Sequence, residues 1–257
     1  MASLRKDRPE LVQARYMRFS QDGFAPHSDV VTPEEPVFLE WPGRNPIKLW
    51  AFSEDLERLV LGHALLECCG PGEIPVIAAR AGNAFILAPK PDPRRHEPPN
   101  HRQLLPEQVL AAMRDFIAYK GRWEDTGCFH RMGALDPETG AFPHMAEDIG
   151  RHNCVDRMAG WALDQGRDPA GLVLCVSART TASLMHKILR AGFRCVISKS
   201  AATTAGMDMA LAHNATLVGF ARGTRFTVYV NSSRTISIRG GDIRWPTSAP
   251  ERQGESS

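Results

Sequence analysis

The stretch from residue 172 to residue 200, LVLCVSARTTASLMHKILRAGFRCVISKS, decides the fold of this chain. Two short apolar runs, residues 172–176 and 195–197, are typical of buried strands. Between them, apolar residues recur at helical spacing and predict a helix that ends near Gly192. The order strand, helix, strand predicts an α/β fold, with a largely parallel sheet that helices cover on both faces.

The same alternation continues on the C-terminal side, and a simpler pattern precedes it. A helix is predicted over about 204–213 and strands over 216–218 and 226–230. Before it, two apolar runs around a Pro-Gly turn, a helix and a Gly82-Asn83 hairpin indicate a small α+β unit. The predicted organisation is a polar, weakly structured segment (1–33), a small α+β domain (34–100), an α/β domain (101–243) and a disordered tail (244–257). A proline-rich stretch separates the two domains.

Composition narrows the class of protein. The chain has 257 residues, 43% hydrophobic and 23% charged, and its net charge of +2 gives no electrostatic footprint for nucleic acid. No apolar run approaches the roughly 20 residues of a membrane span, and the first residues lack the apolar core of a secretory signal. The six cysteines form no Cys-x-x-Cys pair and match no zinc spacing. We therefore expect a reduced, cytoplasmic protein without a protein-ligated metal.

Polar and cationic residues follow three of the predicted strands. Ser177 and Arg179 follow the first. The second is followed by Ser198, Lys199, Ser200, Thr203 and Thr204, and the third by Phe220, Arg222 and Arg225. Ligands of open α/β sheets bind outside the carboxyl ends of strands, so these residues predict a phosphate-binding site. The alternative is that the hydroxyl residues only cap helices.

The segment EDIGRHNCVDR, residues 147–157, supplies a second part of that site. Asn153 is expected to cap the following helix, with Asp156 in its first turn. Arg151 and His152 then stand at a helix N-terminus, where an anion binds readily. The alternative is a turn held together by local ion pairs. The start of the helix near Arg151, the loop with Arg179 and the loop with Arg222 are three chain reversals. If they meet in space, they form one electropositive site, which we call the cradle.

Five blocks of residues also occur in a recognisable order. They are TGCFH (126–130), EDIGRHN (147–153), SAR (177–179), SAATT (200–204) and LVGF (217–220), and they resemble the formate dehydrogenase accessory sulfurtransferase family, FdhD. The resemblance implies a cytidine-deaminase-like, three-layer second domain. It also implies a sulfur carrier that takes sulfur from a cysteine desulfurase and passes it to the molybdenum bis(molybdopterin guanine dinucleotide) cofactor. Implied partners are formate dehydrogenase or a related molybdoenzyme, the desulfurase and a second copy of the chain.

The resemblance places the cofactor at particular residues. The family's cofactor-binding stretch falls on Phe220, Ala221, Arg222, Gly223, Thr224 and Arg225. His130, Arg151, His152, Asn153, Ser177, Arg179 and Ser200 complete the expected cofactor pocket.

One departure concerns the sulfur-carrying residue. The family's Cys-Gly-x-Cys-Gly loop corresponds here to residues 90–108, which contain no cysteine. Cys128, two residues before His130, is the candidate sulfur-handling residue, and the alternative is a cysteine that only packs the turn. If Cys128 is inert, the protein is a cofactor-binding chaperone or a diverged paralogue for another molybdoenzyme. A hydrolase acting on a nucleotide-like substrate is a third possibility. Zinc deaminase chemistry is not expected, because Met132 stands where that motif needs glutamate.

Overall fold

The computed structural model describes residues 11–93 and 103–237. The tail predicted over 244–257 and the boundary predicted at 100/101 lie outside the described residues. Within the described ranges, no helix is both long enough and apolar enough to cross a membrane.

An exposed hairpin opens the described chain. Its antiparallel strands are β1 (Val12–Ser20) and β2 (Gly23–Val31), and they pair with each other alone. The weakly structured segment predicted over 1–33 is therefore wrong for residues 12–31. Neither face of the hairpin is buried, and the short alternation of Val12, Ala14 and Tyr16 with polar residues breaks at Met17. The Asp22-Gly23 dipeptide was the available turn signal.

A four-stranded sheet with one helix follows, as the sequence predicted. The strand order is β4-β3-β6-β5, and the hairpin at Gly82-Asn83 is confirmed because β5 and β6 pair antiparallel. The helix buries its apolar side chains against Val37, Leu39 and Phe85 of the sheet. The elements are β3 (Glu35–Glu40), β4 (Ile47–Ala51), α1 (Leu56–Glu67), β5 (Glu73–Ala81) and β6 (Ala84–Pro91).

The remaining described residues build a six-stranded sheet and its helices. These elements are α2 (Pro106–Ala118), α3 (Trp123–Thr126), β7 (His130–Leu135), β8 (His144–Asp148), α4 (Arg151–Asp164), β9 (Val173–Val176), α5 (Ala182–Arg190), β10 (Cys195–Ser198), α6 (Thr204–Ala212), β11 (Thr216–Arg222) and β12 (Arg225–Asn231). The predicted elements between residues 172 and 231 are thus all present, although β11 extends further than expected.

The six-stranded sheet is mixed. Its order is β12-β11-β10-β9-β7-β8, and only the β9–β10 and β10–β11 pairs are parallel. The prediction of a largely parallel sheet is therefore wrong. No helix separates β7 from β8 or β11 from β12, so each of these pairs folds back directly as an antiparallel pair.

Helices cover both faces of this sheet, as predicted. Buried residues of α4, α5 and α6 form one core with side chains from one face. Residues of α2 form a second core with the opposite face, where Cys175 and Cys195 are buried. These two cysteines are therefore core residues.

Helices α1 and α4 join the two sheets through a close backbone crossing. A Cβ atom added to Gly62 would stand 1.7 Å from the carbonyl oxygen of Asp156. A Cβ atom added to Gly160 would stand 2.0 Å from the carbonyl oxygen of Arg58. The crossing therefore requires the absence of a side chain on both helices. It fixes the start of α4 relative to the N-terminal unit.

Candidate functional site

Strand directions bring the predicted residues to one edge of the six-stranded sheet. Strand β7 runs antiparallel to both β8 and β9, with His130 opposite Asp148 and Met132 opposite Val176. The amino end of β7 therefore lies beside the carboxyl ends of β8 and β9, and those of β10 and β11 follow along the same side. We call this side the carboxyl edge. Helices α4, α5 and α6 all begin there.

Serine hydroxyls hold the backbone of the carboxyl edge together. The Ser177 Oγ accepts a hydrogen bond from the Arg131 backbone N–H at 2.9 Å. The Ser200 Oγ donates to the carbonyl oxygen of Ser177, also at 2.9 Å. Both hydroxyls thus have a structural task, and their contact with a ligand stays a prediction. Thr203 caps α6 by accepting from the Gly206 N–H, as the helix-capping alternative held.

Three basic residues meet at the junction of β7, β9 and α4. Burial lowers the pKa of His130, and the charges of Arg151 and Arg179 lower it further against the opposing charge of Asp148. Two guanidiniums, one from the first residue of α4 and one from the loop after β9, therefore act on one half-buried imidazole. Within residues 11–93 and 103–237, neither guanidinium has a hydrogen-bond or ion-pair partner. The arrangement leaves two positive charges and a neutral imidazole to meet an anion.

The carboxylates beside this cluster are already paired. Asp148, which is fully buried, accepts hydrogen bonds from the Arg157 guanidinium at 2.6 and 2.9 Å. Glu147 accepts from Arg131 at 2.9 Å. The alternative of a turn held by ion pairs is therefore right for the carboxylates of this segment, whereas Arg151 takes no part in those pairs.

Asn153 does not cap the helix. Helix α4 begins at Arg151 with Gly150 as its N-cap, so Asn153 lies inside the first turn. Its side-chain amide donates to the Trp50 carbonyl oxygen at 2.8 Å and to Asp148 at 2.9 Å. The prediction of a capping role is wrong, because Gly150 adopts the extended conformation one turn earlier than expected. The side chain instead ties α4 to the N-terminal sheet.

Asp156 and His152 face the helices α1 and α5. Asp156 is buried, not placed in an exposed first turn, and the Lys187 ammonium lies 2.8 Å from its carboxylate. Burial lowers the pKa of His152, and the charges of Arg151 and Lys187 lower it further. The charge of Arg151 thus lowers the pKa of both His130 and His152, but His152 lies beside helices α1 and α5.

The stretch from Phe220 to Arg225 comprises the end of β11, the Gly223-Thr224 turn and the first residue of β12. Arg222 lies opposite Arg225 across this turn, and both are exposed together with Gly223 and Thr224. The Phe220 N–H donates to the Ser200 carbonyl oxygen at 2.9 Å, which ties the start of the stretch to the carboxyl edge.

Two expectations about that stretch change. Ala221 is fully buried in the core against α2, so its side chain cannot face a ligand. Among the described residues, the charges that act on His130 include those of Arg151 and Arg179 but not those of Arg222 or Arg225. The cradle therefore gathers Arg151 and Arg179, and the participation of Arg222 stays a prediction. Extension of β11 to Arg222 carries the turn beyond the neighbouring strand end.

Cys128 is the exposed cysteine of the chain. It follows Gly127, whose positive φ of 68° ends α3, and its N–H donates to the Thr126 hydroxyl at 3.3 Å. Burial raises the pKa of the other thiols, to about 11 for Cys69 and about 12 for Cys195. The pKa values of Cys68, Cys154 and Cys175 are raised for the same reason. Because Cys128 is exposed and burial raises the pKa of the other thiols, Cys128 is the thiol best placed to react with a sulfur donor.

A cavity of about 670 Å³ opens at the opposite edge of the sheet. The segments before β9 and β10 line it, together with the residues that follow α1. Arg194, one of its cations, already donates to the carbonyl oxygens of Leu189 and Phe193. None of the predicted site residues lines this cavity.

The fold and the carboxyl edge define an α/β protein in which two guanidiniums and a half-buried imidazole lie at one edge of the six-stranded sheet. A family model described as the FdhD/NarQ family matches residues 73–236. The chain therefore belongs to the FdhD/NarQ family.

Individual relatives agree with this assignment. The chain is 37% identical over 145 residues to the sulfur carrier protein FdhD of Nocardia farcinica, covering 56% of this chain and 52% of that protein. It is 34% identical over 185 residues to the protein of the same name from Streptomyces avermitilis, covering 72% and 61%. The chain spans about half the length of the first curated relatives it matches.

A solved structure shows the same fold. The crystal structure of a formate dehydrogenase accessory protein from Desulfotalea psychrophila superposes with a TM-score of 0.73. The match covers 86% of this chain and 97% of that chain at 20% sequence identity.

Proposed function

We propose that this protein serves the maturation of formate dehydrogenase or a related molybdoenzyme. In this proposal it binds the molybdenum bis(molybdopterin guanine dinucleotide) cofactor as its cargo at the carboxyl edge. It then delivers to that cofactor sulfur received from a cysteine desulfurase. The observation that carries the proposal is that Arg151 and Arg179, which have no hydrogen-bond or ion-pair partner among residues 11–93 and 103–237, both act on the His130 imidazole.

The chemistry of the cargo matches these residues. Each guanine dinucleotide arm carries a diphosphate, and guanidiniums bind phosphate oxygens bidentately. The first turn of α4 adds backbone N–H groups and the positive end of a helix dipole beside Arg151. Because the pKa of His130 is lowered, its imidazole is neutral at pH 7 and can both donate and accept a hydrogen bond.

Cys128 supplies the sulfur-handling group in this proposal. It is exposed and lies two residues before His130, on the approach to the carboxyl edge. Its thiolate would attack the outer sulfur of the desulfurase persulfide, forming a new S–S bond while the desulfurase cysteine leaves as a thiolate. The exchange needs no external oxidant or reductant.

A second candidate function is cofactor binding without sulfur transfer. The observation that favours it is the absence of any cysteine from residues 90–108, where the family carries its cysteine loop. The protein would then be a chaperone for the cofactor or a paralogue serving another molybdoenzyme.

We infer that residues 103–237 form a cytidine-deaminase-like domain. The strand order β8-β7-β9-β10-β11, with helices on both faces, supports this inference.

Replacing Arg179 by alanine tests the binding half of the proposal. We expect affinity for GDP to fall by about 1.5–3 kcal/mol, because charge-assisted hydrogen bonds to phosphate are lost. Arg151→Ala should have an effect of the same size, and isothermal titration calorimetry measures both. The matched control is Arg190→Ala, at the other end of α5, which should leave the affinity unchanged. Affinities of both variants equal to that of the unmodified protein would refute the proposed phosphate contact.

Incubation with a cysteine desulfurase and cysteine tests the sulfur half. Mass spectrometry should find a mass increase of one sulfur atom on the Cys128 peptide, and Cys128→Ser should abolish it. Cys69→Ser is the control, because the raised pKa of that thiol opposes thiolate formation. If the Cys128 peptide carries no added sulfur while GDP still binds, the second candidate function replaces the first.

A further inference from the structure

An aromatic residue and a lysine form a pair at the carboxyl edge. Trp123 opens α3, and Lys199 directly follows β10. The Lys199 ammonium nitrogen lies 5.5 Å from the centroid of the Trp123 ring, which is within the range of a cation–π interaction. The indole is 48% exposed. An aromatic ring with this much exposed surface offers a planar group a place to stack.

Neighbouring contacts connect the pair to the anion site. Lys199 is adjacent to Ser200, and its N–H donates to the Val176 carbonyl oxygen at 3.0 Å. Ser200 in turn binds Ser177, which is tied to the start of β7 beside His130. Trp123 lies on the short helix that leads to Cys128. The pair therefore borders the same edge as Arg151 and Arg179.

The charges around the pair fit a nucleotide and not a cation. Within the described residues, the Lys199 ammonium has no carboxylate partner, and its recorded interaction is with the Trp123 ring. Glu124, the acidic neighbour of Trp123, is occupied by Arg131 at 2.9 Å. An aromatic face thus lies along one edge with an ammonium and two guanidiniums that no carboxylate of the described residues compensates. Phosphate groups and a purine base are the two parts of one ligand class, and each has a matching surface here.

We propose that Trp123 stacks on the purine base of the nucleotide arm whose diphosphate Arg151 and Arg179 hold, with Lys199 positioning the indole. This inference rests on the proposed function, since it assigns the base of the same ligand. Stacking uses the π-face that every purine has. The Trp123 ring therefore contributes affinity and discriminates weakly between guanine and adenine.

Comparing GDP, ADP and inorganic pyrophosphate separates the base from the phosphates. Trp123→Ala should weaken binding of both GDP and ADP by about tenfold, the loss of one stacked base. It should leave binding of pyrophosphate within twofold. Trp123→Phe, which keeps an aromatic face, should retain most of the affinity. Calorimetry measures each constant, and the circular dichroism melting curve of each variant confirms that it is folded.

The outcomes distinguish this inference from the proposed function. If pyrophosphate and GDP bind the unmodified protein and Trp123→Ala leaves GDP affinity unchanged, the stacking role is overturned and the proposed phosphate site stands. An equal loss for GDP and pyrophosphate also overturns it, because the indole would then act on the phosphates or on the fold. If neither compound binds the unmodified protein, both the inference and the phosphate site are refuted.

Discussion

Replacing Arg157 by methionine should lower the free energy of unfolding by about 3–5 kcal/mol, the usual consequence of leaving a buried charge without its partner. The guanidinium is 4% exposed and faces the fully buried carboxylate of Asp148. It also donates to the backbone carbonyl oxygens of Phe52, Glu54 and Asp55, between β4 and α1. One side chain therefore satisfies a buried charge and holds the N-terminal unit against α4. Chemical denaturation followed by circular dichroism measures the loss.

The reason for the loss can be tested separately. Asp148→Asn in the Arg157→Met background should recover part of the stability, because it removes the unpaired charge. The oxygen that accepts from Gly150 and Asn153 remains in asparagine. Arg114→Met is the control, since that arginine is exposed on α2 and should change stability by less than about 0.5 kcal/mol. If Arg157→Met is as stable as this control, the contacts of Arg157 with Asp148 and with the backbone between β4 and α1 contribute nothing to stability.

The second large effect is expected from a single added methyl group. Gly62→Ala should destabilise the protein by about 3 kcal/mol or more through overpacking, although alanine favours a helix by about 1 kcal/mol over glycine. The added Cβ atom would stand 1.7 Å from the Asp156 carbonyl oxygen, so α1 and α4 must separate. The sign of the change is therefore opposite to the sign that helix propensity alone predicts.

Gly171→Ala provides the matched control for this substitution. An added Cβ atom meets nothing within 4 Å there, and the backbone conformation is ordinary. We expect stability to stay the same or to rise by about 0.4–1 kcal/mol, because alanine restricts the unfolded chain. Equal thermal denaturation midpoints for the two variants would show that the helix crossing can relax without loss.

The elements that sequence reasoning predicted well are those with a buried face. The strands at 173–176 and 195–198 and the helix between them have apolar patterns because the core requires them. The hairpin of β1 and β2 was missed because neither of its faces is buried. Strands β7 and β8 received no prediction as strands, and the sheet was therefore expected to be more parallel than it is.

The site was partly predictable for a similar reason. Loops that follow parallel strands meet at one edge, so Arg179 and Ser200 could be placed together before any coordinates. The start of α4 could not be placed in this way, because β8 was not predicted as a strand. The hydrogen-bond partners could not be predicted, because Asn153 and Arg157 donate to carbonyl oxygens of Trp50 and Phe52, which are distant along the chain. Trp123 was overlooked since its relation to Lys199 depends on how α3 packs beside β10.

The central claim is that an anionic nucleotide binds at the carboxyl edge. A crystal structure of the protein in complex with GDP tests this directly. We predict that the diphosphate lies within hydrogen-bond distance of the guanidiniums of both Arg151 and Arg179, beside His130. A diphosphate bound only at the Arg222–Arg225 turn, or in the cavity at the opposite edge of the sheet, would contradict the account.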